Sequence, residues 1–192
     1  VKNYFLYYLE KIFQIILLIK IIKNKHKGIL FWVTGLSGSG KTTIAKQLRL
    51  SISKYYGPTI VISGDDLRKN FDLKKYDRES RLSYGKKYTK LCKLITNQKI
   101  NIIFAVVGLF DELRSWNKKN IHNYCEIFIK SPIKKIIKAK KKKVYFSGSK
   151  EIVGLNIKPE FPKKPNIVIK NNFKKSTNQL SKILIKKIQN IV

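Results

Sequence analysis

The stretch that most constrains this chain is Phe31-Trp-Val-Thr-Gly-Leu-Ser-Gly-Ser-Gly-Lys-Thr-Thr43. An apolar run from Ile29 to Val33 stops at Gly35. Gly35-Leu36-Ser37-Gly38-Ser39-Gly40-Lys41-Thr42 then fills every fixed position of the G-x-x-x-x-G-K-[ST] pattern, and a helical pattern follows at once. Strand, glycine-rich turn and helix in that order build a phosphate cradle. The glycines let successive backbone N–H groups converge on phosphate oxygens, where a side chain would block the approach. The N-terminus of the following helix adds partial positive charge. Residues Gly35 to Thr43 are therefore the expected nucleotide-phosphate site. Lys41 is expected to reach the β- and γ-phosphates of ATP, and the Thr42 hydroxyl to ligate Mg²⁺.

The rest of the chain reads as an alternation of buried strands and amphipathic helices. Ile29 to Thr34 is continuous, β-branched and aromatic, as a parallel strand buried on both faces must be. A helix from Lys41 to about Ser53 places Ile44, Ala45, Leu48 and Ile52 on one face. After the Tyr56-Gly57-Pro58 turn, Thr59 to Ser63 is a second strand, and it runs into Gly64-Asp65-Asp66-Leu67-Arg68. In an open parallel sheet, ligands sit at the carboxyl ends of the strands. Asp65 is thus placed to order Mg²⁺ or to accept a proton from an attacking hydroxyl, and with Lys41 it is the catalytic candidate. Asp65 or Asp66 is also suited to cap the next helix. Arg68 is the better anion ligand in a chain that prefers lysine.

Phe71 to Ser80 reads as a loop, with a helix from about Arg81 to Asn97 carrying Tyr84, Tyr88, Leu91, Cys92 and Ile95 inward. Arg78 and Arg81 are open to two readings: they line a substrate cleft, or they pair with Asp77 and Glu79 at the helix start. Asn101 to Val107 is a third strand, Gly108 to Arg114 a loop, and Trp116 to Ile121 a short helix. Tyr124 to Ile129 and Asn166 to Ile169 are the fourth and fifth strands. Ser131-Pro132 opens a helix that runs into Lys138-Ala139-Lys140-Lys141-Lys142-Lys143, a stretch suited to a basic lid or to a solvated face. Val144 to Lys164 is irregular. Ser176 to Gln179 is a capping box for a last helix with Leu180, Ile183, Leu184, Ile188 and Ile191 inward.

The fold expected is α/β, a three-layer arrangement with a mostly parallel five-stranded sheet and helices on both faces. Its bounds are 28–192. Residues 1–27 form an apolar and basic leader. Tyr4 to Ile22 is interrupted by Glu10, Lys11, Gln14 and Lys20, so no run reaches the ~20 residues that a membrane span needs. A dispensable leader is preferred there over an interfacial helix touching a membrane. Cys92 and Cys125 stand apart with no C-x-x-C and no histidine cluster, which argues against a disulfide framework or a zinc site and fits a reducing cytoplasm.

The net charge of +31 comes from 42 basic residues against 11 acidic ones. Only five are arginine, at 49, 68, 78, 81 and 114. A dedicated nucleic-acid surface uses arginine for bidentate phosphate and base contacts, so no specific nucleic-acid partner is expected.

Taken together, strand, phosphate loop, helix, strand and G-D-x-x-R resemble the adenylylsulfate kinase family over about residues 28–172. Residues Phe31 to Ala45 are close to that family's own version of the loop. Gly64-Asp65-Asp66-Leu67-Arg68 resembles its D-G-D-x-x-R, and Asp77-Arg78 its D-R. Lys142 to Tyr145 resembles K-G-L-Y. Ile152-Val153-Gly154 with Glu160 to Pro165 resembles F-x-G-I followed by E-x-P-x-x-P. The resemblance implies ATP·Mg²⁺ as donor and the 3′-hydroxyl of adenylyl sulfate as acceptor, in sulfate activation. It implies Asp65 and Arg68 at the acceptor nucleotide, with Lys142 near its phosphosulfate; Arg81, which falls near the arginines that the family carries after D-R, is a further acceptor-binding candidate, and a homodimer is a candidate assembly. The chain departs from the family pattern at Ser63, Gly108, Asp111, Ala139 and Ile152. The last stands where the family carries the ring that stacks on the adenylyl base. These departures fall on the acceptor side, so another small hydroxyl acceptor, or a non-catalytic ATP-binding protein, stays open.

Overall fold

Five apolar runs become five strands because β-branched and aromatic side chains fill both faces of the inner strands and the inward positions of the two edge strands. They are β1 (Leu30–Thr34), β2 (Thr59–Ser63), β3 (Asn101–Val106), β4 (Tyr124–Lys130) and β5 (Ile167–Lys170). The structure is a computed structural model and describes residues 7, 10–15, 28–139, 145 and 151–192. All pairings are parallel, in the order β2-β3-β1-β4-β5. Every residue of the central β1 is buried.

The alternating faces of the strands meet different helices. Phe31 and Val33, with Ile103, Ala105, Ile127, Ile129, Ile167 and Ile169, pack under α1 (Lys41–Tyr56) and the C-terminal helix α6 (Thr177–Gln189). Leu30, Trp32, Ile102 and Phe104 pack under α3 (Arg78–Asn97), with Trp32 stacked on Phe104 at 5.2 Å. Between these come α2 (Gly64–Asn70), α4 (Asp111–Asn120) and α5 (Ile133–Lys138). Burying each such side chain contributes roughly 1.5–3 kcal/mol, so the sheet core fixes where the strands end. Asn101, fully buried, fastens the opposite edge: it accepts from the Ile29 N–H at 2.9 Å and donates to the Tyr56 carbonyl at 2.9 Å.

The structure revises several expected boundaries. Helix α3 begins at Arg78, not Arg81, because the Asp77 carboxylate accepts from the Ser80 N–H and caps it. Helix α4 begins at Asp111, inside the segment expected as a loop. Helix α2 is capped by Ser63, not by Asp65 or Asp66: the Ser63 hydroxyl accepts from the Asp66 N–H, and the Asp66 carboxylate accepts in return from the Ser63 backbone. Helix α1 runs on to Tyr56. In α6 the buried face is Leu180, Ser181, Leu184 and Ile188, while Ile183 and Ile191 are exposed. Both cysteines are free and buried. The lysine run at 140–143, with Lys142, lies outside the described residues, as does most of 4–22. Among the described residues no helix is long and apolar enough to cross a membrane.

Candidate active site

Chain order reverses direction at β1, which leaves β3 on one side and β4 on the other. The crevice past their carboxyl ends is where ligands bind in such sheets. Thr34 closes β1 there by donating its hydroxyl to the Val107 carbonyl at 2.7 Å. The glycine-rich turn follows. A Cβ on Gly35 would lie 2.5 Å from the Ile129 carbonyl oxygen, so only glycine lets the turn leave the sheet this close to β4. Gly40, with φ +92°, precedes α1, and no side chain caps that helix. The first-turn N–H groups of α1 are left for a ligand, as in an anion cradle. Lys41 is buried and donates to the Leu36 carbonyl at 2.8 Å, which holds its ammonium inside the turn.

Two side chains outside the motif brace this loop. Asn171, just past β5, donates to the Ser39 carbonyl at 2.9 Å. Tyr145 donates its phenol to the Ser37 carbonyl at 2.9 Å, and burial pushes that phenol up to about 12. Tyr145 belongs to the KKVY stretch singled out in the sequence. Asn171 carried no signal beyond its place after a strand.

The loop forms one wall of a cleft of about 1270 Å³. On the loop side, Lys41, Thr42, Thr43, Asn171 and Phe173 line it; on the far side, Asp65, Arg68, Tyr76, Arg81, Phe110 and Ile152. Asp65 is the first residue after the start of α2, and the Ser63–Asp66 capping box spends Asp66 on the backbone. Arg68 donates to the Leu73 and Lys75 carbonyls and lies over the Tyr76 ring at 4.2 Å. Arg81 lies over the same ring at 5.2 Å and donates to the Tyr76 and Glu151 carbonyls. Burial, and then the adjacent Arg68 guanidinium, pull Arg81 below the usual arginine value. Two guanidiniums share one ring and repel each other, an arrangement that an incoming anion relieves. Ile152 is buried in this wall, 5 % exposed.

Arg78 does not join them. It pairs with Glu160, not with Asp77 or Glu79. Sequence reasoning passed over Arg114, although its type set it apart in a lysine-rich chain. It is buried, donates to the Gly108 and Glu160 carbonyls and pairs with Asp111 and Glu126. Burial raises the Glu126 carboxyl, against the pull of Arg114.

No group of three or more His, Cys, Asp or Glu that could hold a metal ion occurs among the described residues. A cation here would take one or two protein oxygens and otherwise phosphates and water, which is how Mg²⁺ is held in phosphoryl-transfer sites. Thr42 and Asp65, which line the same cleft, are oxygen donors of the kind that mode uses.

A parallel sheet of this order, with a phosphate cradle after its central strand and a second, cationic half across the cleft, defines a P-loop phosphotransferase. The family model for adenylylsulphate kinase matches residues 27–170. The chain belongs to that family, and is accordingly an ATP-dependent kinase with a nucleotide substrate. It is 32 % identical over 168 residues to a cytidine diphosphoramidate kinase of Campylobacter jejuni, covering 85 % of this chain and 98 % of that one. To an adenylyl-sulfate kinase of Gloeothece citriformis it is 25 % identical, over 84 % and 95 % of the two chains. In fold it matches the APS kinase of Mycobacterium tuberculosis solved with AMPPNP and APS, with a TM-score of 0.76 at 20 % identity over 85 % and 98 %.

Proposed function

We propose that this kinase transfers the γ-phosphoryl group of ATP to a ribose hydroxyl of cytidine diphosphoramidate, or of a pyrimidine nucleotide with the same kind of tail, in preference to adenylyl sulfate. The observation that carries this is Ile152, a buried aliphatic side chain in the cleft wall. The two acceptors are alike away from the base. Each is a 5′-nucleotide whose α-phosphate bears a second tetrahedral group, sulfate or phosphoramidate, so each tail carries two negative charges. One pair of guanidiniums, Arg68 and Arg81, serves either tail. Discrimination falls to the base. A purine gains from a stacked ring, and Ile152 offers none; the smaller pyrimidine loses less. The relative from Campylobacter jejuni, matched over nearly its whole length, supports the same reading. Adenylyl sulfate is the second reading, favoured by Gly64-Asp65-Asp66-Leu67-Arg68.

In this reading the backbone of residues 35–40 and Lys41 hold the β- and γ-phosphates. Thr42 and Asp65 would hold Mg²⁺, which would neutralise charge on the phosphates. Asp65 receives the proton as the acceptor oxygen bonds to the γ-phosphorus and the bond to the ADP oxygen breaks. Lys41 offsets the charge that spreads over the transferring group. The acceptor side orients the hydroxyl in line, and positioning supplies most of the acceleration.

The test incubates the protein with ATP, Mg²⁺ and each nucleotide in turn, with Lys41→Ala as control. The expected outcome is a kcat/KM for cytidine diphosphoramidate at least about tenfold above that for adenylyl sulfate, the scale on which an apolar pocket discriminates. The reverse ratio would return the assignment to adenylyl sulfate. ATP binding with neither nucleotide phosphorylated would reject both.

A further inference from the structure

Helix α4 starts without a local cap. Its N-cap residue is Phe110, whose ring accepts no hydrogen bond from the backbone. Yet the first helical N–H, at Asp111, donates to Glu160 Oε2 at 2.6 Å, across 49 residues of chain. The other carboxylate oxygen, Oε1, accepts from Arg78 Nη2 at 2.6 Å, and Arg78 is the first residue of α3. The Glu160 backbone is held too. Its N–H donates to the Leu109 carbonyl at 2.9 Å, and its carbonyl accepts from Arg114 Nη2 at 2.6 Å. The Asp111 N–H first, and Arg78 second, hold the Glu160 carboxyl below its usual value.

Glu160 therefore joins three elements of the acceptor half: the turn at 108–110, the first turn of α3, and the irregular strap from 151 to 165. That strap carries Glu151, Ile152 and Val153 into the cleft wall. It is tied to α3 at both ends, by Arg78 to Glu160 and by Arg81 to the Glu151 carbonyl at 2.8 Å. Neither Arg78 nor Glu160 lines the cleft itself.

We infer that Glu160 is a positioning residue for the acceptor: by capping α4 and gripping Arg78 it sets the separation between Arg81 and the Ile152 wall. The inference rests on the reading that this half of the cleft takes the acceptor nucleotide. The Arg78–Glu160 pair is too exposed for its charge alone to contribute much to stability, with side-chain exposures of 56 % and 30 %. Its consequence lies in where it holds α3 and the strap, since misplacing a substrate-orienting group by about 1 Å costs a large factor in rate.

The experiment compares Glu160→Ala, Glu160→Gln, Arg78→Ala and the Glu160→Ala/Arg78→Ala double variant. Kinetics are run with ATP varied, and with whichever of cytidine diphosphoramidate and adenylyl sulfate the wild type phosphorylates. The Asp111 amide is followed by NMR in the unliganded protein. The acceptor KM should rise about tenfold in Glu160→Ala while the ATP KM stays within about twofold. The double variant should be no worse than Glu160→Ala alone, because Arg78 acts through Glu160. Glu160→Gln keeps an oxygen for the Asp111 N–H but turns an amide toward Arg78, and should fall between. The Asp111 amide should lose protection in Glu160→Ala. Equal rises in both KM values, or additive effects of the two substitutions, would reduce Glu160 to scaffold and overturn the inference; so would an unchanged acceptor KM. A wild type that phosphorylates neither nucleotide would defeat the acceptor reading on its own, and the Asp111 amide would still decide for or against the clip.

Discussion

Lys41, in the cleft, and Glu160, behind its far wall, have different proposed roles and answer to different tests. Lys41 is buried, and its ammonium is held against the Leu36 carbonyl inside the phosphate loop, where the proposed function has it meet the donor phosphates. Lys41→Ala should lower kcat by about 10²–10³-fold, the cost of removing one preorganised donor from a developing charge. Initial-rate measurements at saturating ATP would show this. Glu160 makes a pH signature. Its folded pKa lies below the ordinary 4.5, so its contribution to stability is complete above that value and is lost as pH falls through the folded one. The gap in Tm between wild type and Glu160→Gln should therefore be constant at neutral pH and close below it on acidification. A gap that persists unchanged in acid would mean the carboxylate charge has no part in it. Glu126 has the opposite sign, because burial raises its carboxyl.

At the scale of elements, α2 links a cap to the residue proposed as base. Ser63 ends β2 and caps α2 through its hydroxyl, and Asp65 stands two residues on. Ser63→Ala should cost about 1 kcal/mol, the usual value of a lost N-cap. For a chain of this size that is a fall of about 2–4 °C in Tm. It should also lower kcat, since the first turn of α2 carries the proposed base Asp65, whereas loss of the Ser176 capping box, on the phosphate-loop side of the same cleft, should lower Tm and leave the acceptor KM unchanged. Thermal melts and rates on both variants separate the two effects. This pair also shows what the sequence could and could not reveal. Both capping boxes are local, three residues apart, yet only Ser176–Gln179 was read as one, because the run Gly64-Asp65-Asp66 offered nearer carboxylates. The start of α4 was illegible for a stronger reason: its cap is supplied by Glu160, and no window around Asp111 contains it. The phosphate loop, in contrast, is legible because its defining pattern sits within eight consecutive residues, although Asn171 and Tyr145 brace it from far along the chain.

Over the whole molecule, the two basic residue types divide the work. Four of the five arginines, 68, 78, 81 and 114, stand on or beside the cationic half of the cleft, each held by hydrogen bonds to other parts of the chain. The lysines make up the rest of the 42 basic residues. The arginines' rarity singles out Arg68 in the sequence as an anion ligand and carries no such reading for Arg114, whose partners at 108–111, 126 and 160 come from three segments of chain. The division predicts two kinds of anion binding with different salt dependence. Diffuse lysines bind polyanions by releasing condensed counterions, so affinity for duplex DNA should fall by about 10³-fold or more between roughly 50 and 200 mM salt. In the proposed function the acceptor carries two tail charges and meets Arg68 and Arg81 inside a cleft, where screening is weaker. Its KM should rise by no more than about tenfold over the same range. Fluorescence anisotropy with labelled DNA, beside the kinetic assay, measures both. A DNA affinity that survives physiological salt would mean that the positive charge forms a dedicated nucleic-acid surface. A KM that climbs in step with the DNA dissociation constant would mean that Arg68 and Arg81 act as no more than part of the general field.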